Sequence, residues 1–134
     1  MSGHKNSEFV APLKTAKGHG SAHEGAEHWL QQKITALAQI PLVLWLIYSI
    51  IGLQGASYAE FTAWMGQPVN AILMIILISS VMLHAKLGAQ VVVEDYISCG
   101  CLKMAKLIGM KIFFYGMAVA CIFSVLKIAF IAGI

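Results

Sequence analysis

The chain has 134 residues, of which 59% are apolar and 11% charged, and its net charge of +3 comes from nine lysines and no arginine. A domain this small buries the smallest fraction of its surface, so that much apolar surface cannot all be hidden from water in a soluble fold. The composition therefore points to lipid as the solvent of long apolar blocks, and the sparse, scattered lysines exclude a nucleic-acid protein.

Residues 1–22 are rich in Gly, Ser, His and Lys with no visible period, and read as a flexible cytoplasmic tail. There is no apolar stretch of signal-peptide type, so the spans themselves are expected to direct insertion. Residues 24–33, E-G-A-E-H-W-L-Q-Q-K, suit a short interfacial helix with Trp29 at headgroup level. The membrane anchor domain then covers 23–134.

A first span is expected over about 34–53, where no charge occurs between Lys33 and Glu60. Twenty helical residues rise about 30 Å, the thickness of the hydrocarbon core. Pro41 predicts a kink and a freed carbonyl at Leu37, which Gln39 or Thr35 is placed to satisfy. Gln54–Ser57 begins a loop.

The second span is expected over 69–91, with Pro68 at its first turn and the helix ending near Asp95. The third is expected over 107–131, with Lys111 and Lys127 near its ends and able to snorkel. Lysines at 5, 14, 17 and 33, and again at 103 and 106, put the N-terminus and the second loop on the cytoplasmic side and the C-terminus outside. The fold class is all-α: an integral, multi-pass protein of an inner (cytoplasmic) membrane.

Cys99, Cys101 and Cys121 make an odd count without zinc or disulfide spacing. His84 is the one histidine within a span. An ionisable group at that depth is expensive and marks a site by default. From position alone two readings stand: a hydrogen bond to a neighbouring helix, or an axial ligand for haem iron. Gly88, Val91 and Asp95 follow at i+4, i+7 and i+11, on the same helical stripe. Gly88 clears room for a macrocycle or for another helix. Asp95 and Tyr96 at the stripe's inner end suit a quinone, the phenol donating a hydrogen bond and the carboxylate relaying protons; the plain alternative is a solvated helix end with an interfacial tyrosine. With one histidine in its spans, the chain resembles half of a cofactor-bearing bundle.

The run H-A-K-L-G-A-Q-V-V-V-E-D-Y, His84 to Tyr96, resembles the hydrophobic membrane anchor subunits of bacterial succinate dehydrogenase. The segment Gly20–Ala36 is similar to the one that precedes that family's first span, and the resemblance covers about residues 20–134. It implies a heterodimeric haem-binding bundle in which haem b is shared with a cytochrome b subunit and His84 is one axial ligand. It implies that Tyr96 contacts ubiquinone with Asp95 adjacent. It also implies that a basic residue at Lys33 faces a haem propionate, where the family usually has Arg; His28 is a second candidate. The implied partners are that cytochrome subunit, the iron–sulfur and flavoprotein subunits, ubiquinone and the lipid bilayer. The chain would have no activity alone. The implied task is passing electrons from succinate oxidation, a step of the tricarboxylic acid cycle, to the quinone pool. A haem-free anchor of a fumarate reductase-type complex, or a small transporter or channel subunit, are the alternatives; the latter would need a polar path that Gln39, Ser49 and Ser124 scarcely supply.

Overall fold

The computed structural model describes residues 21–132, and the side chains of 25–132. The expected tail therefore lies almost wholly outside the described residues. The described chain is helical: α1, Ser21–Gly52; α2, Tyr58–Gly66; α3, Pro68–Tyr96; and α4, Gly100–Ala132. It divides into two units, the first ending at Gln31 and the second covering Gln32–Ile134. Within the first, Ser21–Gln31 is helical throughout.

Three of these helices are long and apolar enough to cross a membrane: Gly25–Gly52, Pro68–Tyr96 and Gly100–Ala132. Their apolar side chains face largely outward, as a lipid-solvated bundle requires. Each exceeds the expected span at one end. The interfacial segment and the first span are one helix, because nothing between Glu27 and Ile40 breaks the backbone ladder. α4 begins at Gly100 rather than near 107, since Lys103 and Lys106 are good helix formers that extend it beyond the hydrocarbon. The helix also runs through Pro41. Gln39 and Thr35 do not serve the Leu37 carbonyl as expected: both are engaged elsewhere, as described below.

The expected loop between the first two spans contains α2. Ser57 and Glu60 form its capping box: Glu60 NH reaches the Ser57 hydroxyl at 3.4 Å, and the Ser57 N–H donates to Glu60 Oε2 at 2.7 Å. Gly55 turns the chain between α1 and α2 at φ 82°, a left-handed conformation that a side chain would strain. At the other end of α2, Gly66 meets Ala132: a Cβ built on Gly66 would lie 2.7 Å from the Ala132 Cβ, so only glycine fits without movement.

α3 and α4 pack along each other, and α2 closes one end of the pair. The core there is Met65, Ala71 and Val125, flanked by Phe61, Trp64, Met74, Ile75 and Ile128. Trp64 of α2 stacks on Trp45 of α1, centroids 5.8 Å apart. Buried Asn70 donates to the Trp64 carbonyl at 2.8 Å and thereby fixes the sharp α2–α3 corner.

The hydrogen bonds from the Ser57 backbone, then from its hydroxyl, hold the Glu60 carboxyl below its ordinary range. A depressed folded-state value means that this cap contributes above the unfolded carboxylate range and is lost as pH falls through the folded value. Amide protection factors across 57–64, taken relative to the intrinsic exchange rate at each pH, should therefore fall on acidification, and Glu60→Gln should show the low protection already at neutral pH; pH-independent protection in both would contradict the cap's role.

Candidate functional site

His84 sits on α3, three turns before its end, and is half-buried. Its Nδ1 lies 3.2 Å from the Thr35 hydroxyl on α1. One turn further along each helix, in opposite directions, Gln39 Nε2 donates to the Ser80 carbonyl at 3.1 Å. Between these two rungs the Ser80 hydroxyl donates to the Thr35 carbonyl at 3.1 Å. The i,i+4 pairs Thr35/Gln39 and Ser80/His84 thus face each other in antiparallel register. Among the described residues no buried side-chain polar atom lacks a partner.

The arrangement constrains the imidazole. Thr35 has one hydroxyl proton, and its oxygen is 3.0 Å from the Gln32 carbonyl, to which it donates. With its proton so used, that oxygen would accept from a ring proton on Nδ1, the tautomer in which Nε2 carries the lone pair. A ligating histidine is oriented by a second-shell bond of this kind.

At i+4 from His84, a Cβ built on Gly88 meets nothing within 4 Å. The clearance at Gly88 therefore serves no contact among the described residues. Leu87, buried against the bundle, marks the opposite requirement one residue earlier. His84, Gly88, Val91 and Asp95 lie within about 40° of one line along α3, at about 100° per residue. Asp95 is exposed at the inner end of that stripe, about 16 Å from His84 along the axis. Tyr96, 84% exposed, stands about 120° around the helix from His84. The helix end they occupy is capped by Lys103, whose Nζ donates to the Glu94 carbonyl at 3.3 Å. That cation offsets the unfavourable meeting of two acids with the helix C-terminus. Glu94 itself accepts from Gln90 at 2.9 Å, leaving Asp95 as the acid without such a bond.

Lys33 is exposed on α1, about 160° around the helix from the Thr35 side that meets His84. His28, in the first unit, is exposed as well. The structure thus brings His84 together with Thr35 and Ser80, aligns it with Asp95, and leaves Tyr96, Lys33 and His28 on open surface. Thr35 went unassigned as the partner of His84, and Ser80 as the partner of Thr35, in the sequence. The hydroxyl of Ser80 one turn before the histidine, inside an otherwise apolar block, was the available signal.

Hydrogen bonds between membrane helices contribute about 0.6 kcal/mol on average. Thr35→Val, which keeps shape and removes the hydroxyl, should lower stability to denaturant in detergent by roughly that amount, and up to ~1.7 kcal/mol. An unchanged midpoint would remove this rung from the account.

The family model described as succinate dehydrogenase/fumarate reductase transmembrane subunit matches residues 9–127. A succinate dehydrogenase hydrophobic membrane anchor subunit of Rickettsia bellii is 38% identical over 106 residues, 79% of this chain and 85% of that one. The protein of the same name from Rickettsia typhi is 30% identical over 127 residues, 95% of this chain and 94% of that one. That of Paracoccus denitrificans is 29% identical over 97 residues, 72% and 75% of the two chains. No solved structure matches the chain.

Proposed function

The chain belongs to the succinate dehydrogenase/fumarate reductase transmembrane subunit family, and on that premise we propose that it is the hydrophobic membrane anchor of a succinate dehydrogenase that shares haem b with a cytochrome b partner and helps bind ubiquinone. The observation that carries the reading is the state of His84. Its Nδ1 lies within hydrogen-bonding distance of the Thr35 hydroxyl, which leaves Nε2 as the ring nitrogen to meet a ligand, and a Cβ at Gly88 would meet nothing within 4 Å among the described residues. The residues present fit a planar haem approached by Nε2.

Haem, when bound, supplies one-electron redox chemistry. The part of this chain is to hold and orient. Thr35 holds the imidazole through Nδ1, Ser80 ties Thr35 to α3 through its carbonyl, and Gly88 keeps the space beside the ring clear. A further protein ligand to the haem would come from the cytochrome b partner. Lys33 is the candidate contact for a haem propionate, and His28, in the first unit, is the second candidate. Lysine brings charge but not the bidentate geometry of arginine.

At the helix end, Tyr96 donates a hydrogen bond to one quinone oxygen, and Asp95 passes protons from water. Reduction of a quinone to quinol takes two electrons and two protons. The electrons come from succinate oxidised on soluble flavin and iron–sulfur subunits. The high exposure of Tyr96 fits a pocket completed by those partners rather than by this chain. The lysine distribution supports a cytoplasmic N-terminus and puts the quinone end on the same side, in the inner membrane.

Two variants of the purified complex test the reading. His84→Ala should abolish or strongly reduce b-type absorbance while the subunit still inserts; full absorbance would remove the ligand role and favour a haem-free anchor. Tyr96→Phe should lower quinone-dependent turnover by roughly tenfold, the effect of losing about 1.4 kcal/mol. Succinate oxidation with soluble artificial acceptors should persist. Equal loss in both assays would assign Tyr96 to assembly.

A further inference from the structure

On the α3–α4 face, Lys86 reaches across to Tyr115, with Nζ 2.9 Å from the phenol oxygen and 4.8 Å from the ring centroid. The pair opens a cleft of about 170 Å³ lined by Ser79, Met82, Leu83, Phe114 and Ala118. We propose that Lys86, Tyr115 and Lys111 bind the phosphate of an anionic phospholipid whose acyl chain lies in this cleft.

Four observations carry it. First, an ammonium has three N–H donors, and Tyr115 accepts one; among the described residues no other partner of Nζ stands. A phosphodiester oxygen completes the set inside a membrane, where an unsatisfied cation is costly. Second, Lys111 precedes Tyr115 by four residues on α4, on the same face and one turn nearer the Tyr96 end of the bundle. The two lysines belong to different helices and converge on one level. Third, the lining has the polarity of a lipid. Ser79, Met82, Leu83 and Lys86 form one stripe of α3, and from Lys86 to Ser79 it descends about 10 Å toward the bilayer centre. Phe114 and Ala118 match it on α4. Lys86 stands at the headgroup end of the stripe with the apolar groups below it, and Ser79 is a single hydroxyl at its deep end. Fourth, Lys86 lies about 200° around α3 from His84, so this face points away from the side where Nε2 is offered and opens to lipid.

α3 has 29 residues and is about 43 Å long, so about 6 Å projects beyond the hydrocarbon at each end. Lys86 lies about 15 Å from the Tyr96 end and so about 9 Å below the hydrocarbon edge; its stem, about 6 Å long, covers about two thirds of that distance, and the headgroup descends to meet it.

The complex should be purified from membranes with wild-type Lys86 or with Lys86→Gln, Lys86→Arg or Lys86→Gln/Lys111→Gln. Each is equilibrated with mixed phosphatidylglycerol and phosphatidylethanolamine vesicles, and retained lipid is read by native mass spectrometry. Wild-type should retain phosphatidylglycerol preferentially. Each glutamine should weaken retention by about fivefold, the equivalent of about 1 kcal/mol per basic residue. Lys86→Arg should keep it, and phosphatidylethanolamine should not change. Equal retention by wild-type and the double variant overturns the proposal, as does equal loss in the arginine and glutamine variants, which would mark a packing defect. Displacement of the lipid by inorganic phosphate alone would reassign the site to a free anion and overturn the lipid. Absence of any retained lipid from wild-type would mean that protein covers the face. None of these readouts depends on haem.

Discussion

A hydrogen-bonding group in hydrocarbon must find its partner within the protein, and the α1–α3 ladder answers that constraint. Thr35, Gln39, Ser80 and His84 carry polar atoms into the membrane, and each is satisfied by the facing helix or by its own. Van der Waals packing between apolar helices in lipid has no water to work against, so it sets register weakly. Polar rungs separated by one turn set it firmly, because a slip of one residue would rotate each donor about 100° away from its acceptor. From that register follow the orientation of the imidazole, the direction in which Nε2 points, and the position of the stripe that ends at Asp95.

The opposite end of the bundle is held by different means. There, α2 inserts Met65 and Trp64 between the spans, Asn70 ties its carbonyl end to α3, and Gly66 lets Ala132 approach closely. The molecule is thus packed apolar at one end and hydrogen-bonded near the middle. At the Tyr96 end its functional candidates are exposed. An anchor that completes a cofactor site together with other subunits is expected to leave its own half open.

Much of this was legible in the residues. Three apolar blocks of span length, bounded by lysines, gave three membrane helices, because hydrophobic length is a direct consequence of bilayer thickness. His84 stood out because histidine in hydrocarbon is costly. Helix ends were less legible: periodicity fades in the headgroup region, where polar residues such as Gln31 or Lys103 continue a helix without an apolar signal. α2 was hidden inside a loop, although the Ser57–Glu60 spacing is a capping box that could have revealed it. The His84–Thr35 pairing spans 49 positions and depends on three-dimensional register, which no local pattern encodes. The Lys86–Tyr115 pair was missed for the same reason. Tyr96 and Asp95 were adjacent in sequence, yet on α3 they diverge by about 100°, a difference visible only once the helix is known to continue through Tyr96.

The register of α1 against α3 is most directly read by cysteine cross-linking in native membranes, with Cys99, Cys101 and Cys121 replaced by Ser. Gln39→Cys paired with Ser80→Cys should form a disulfide readily on mild oxidation, whereas Gln39→Cys paired with Leu87→Cys, about 10 Å further along α3, should not. Comparable cross-linking of the two pairs, or preference for the second, would contradict the ladder and with it the orientation of His84.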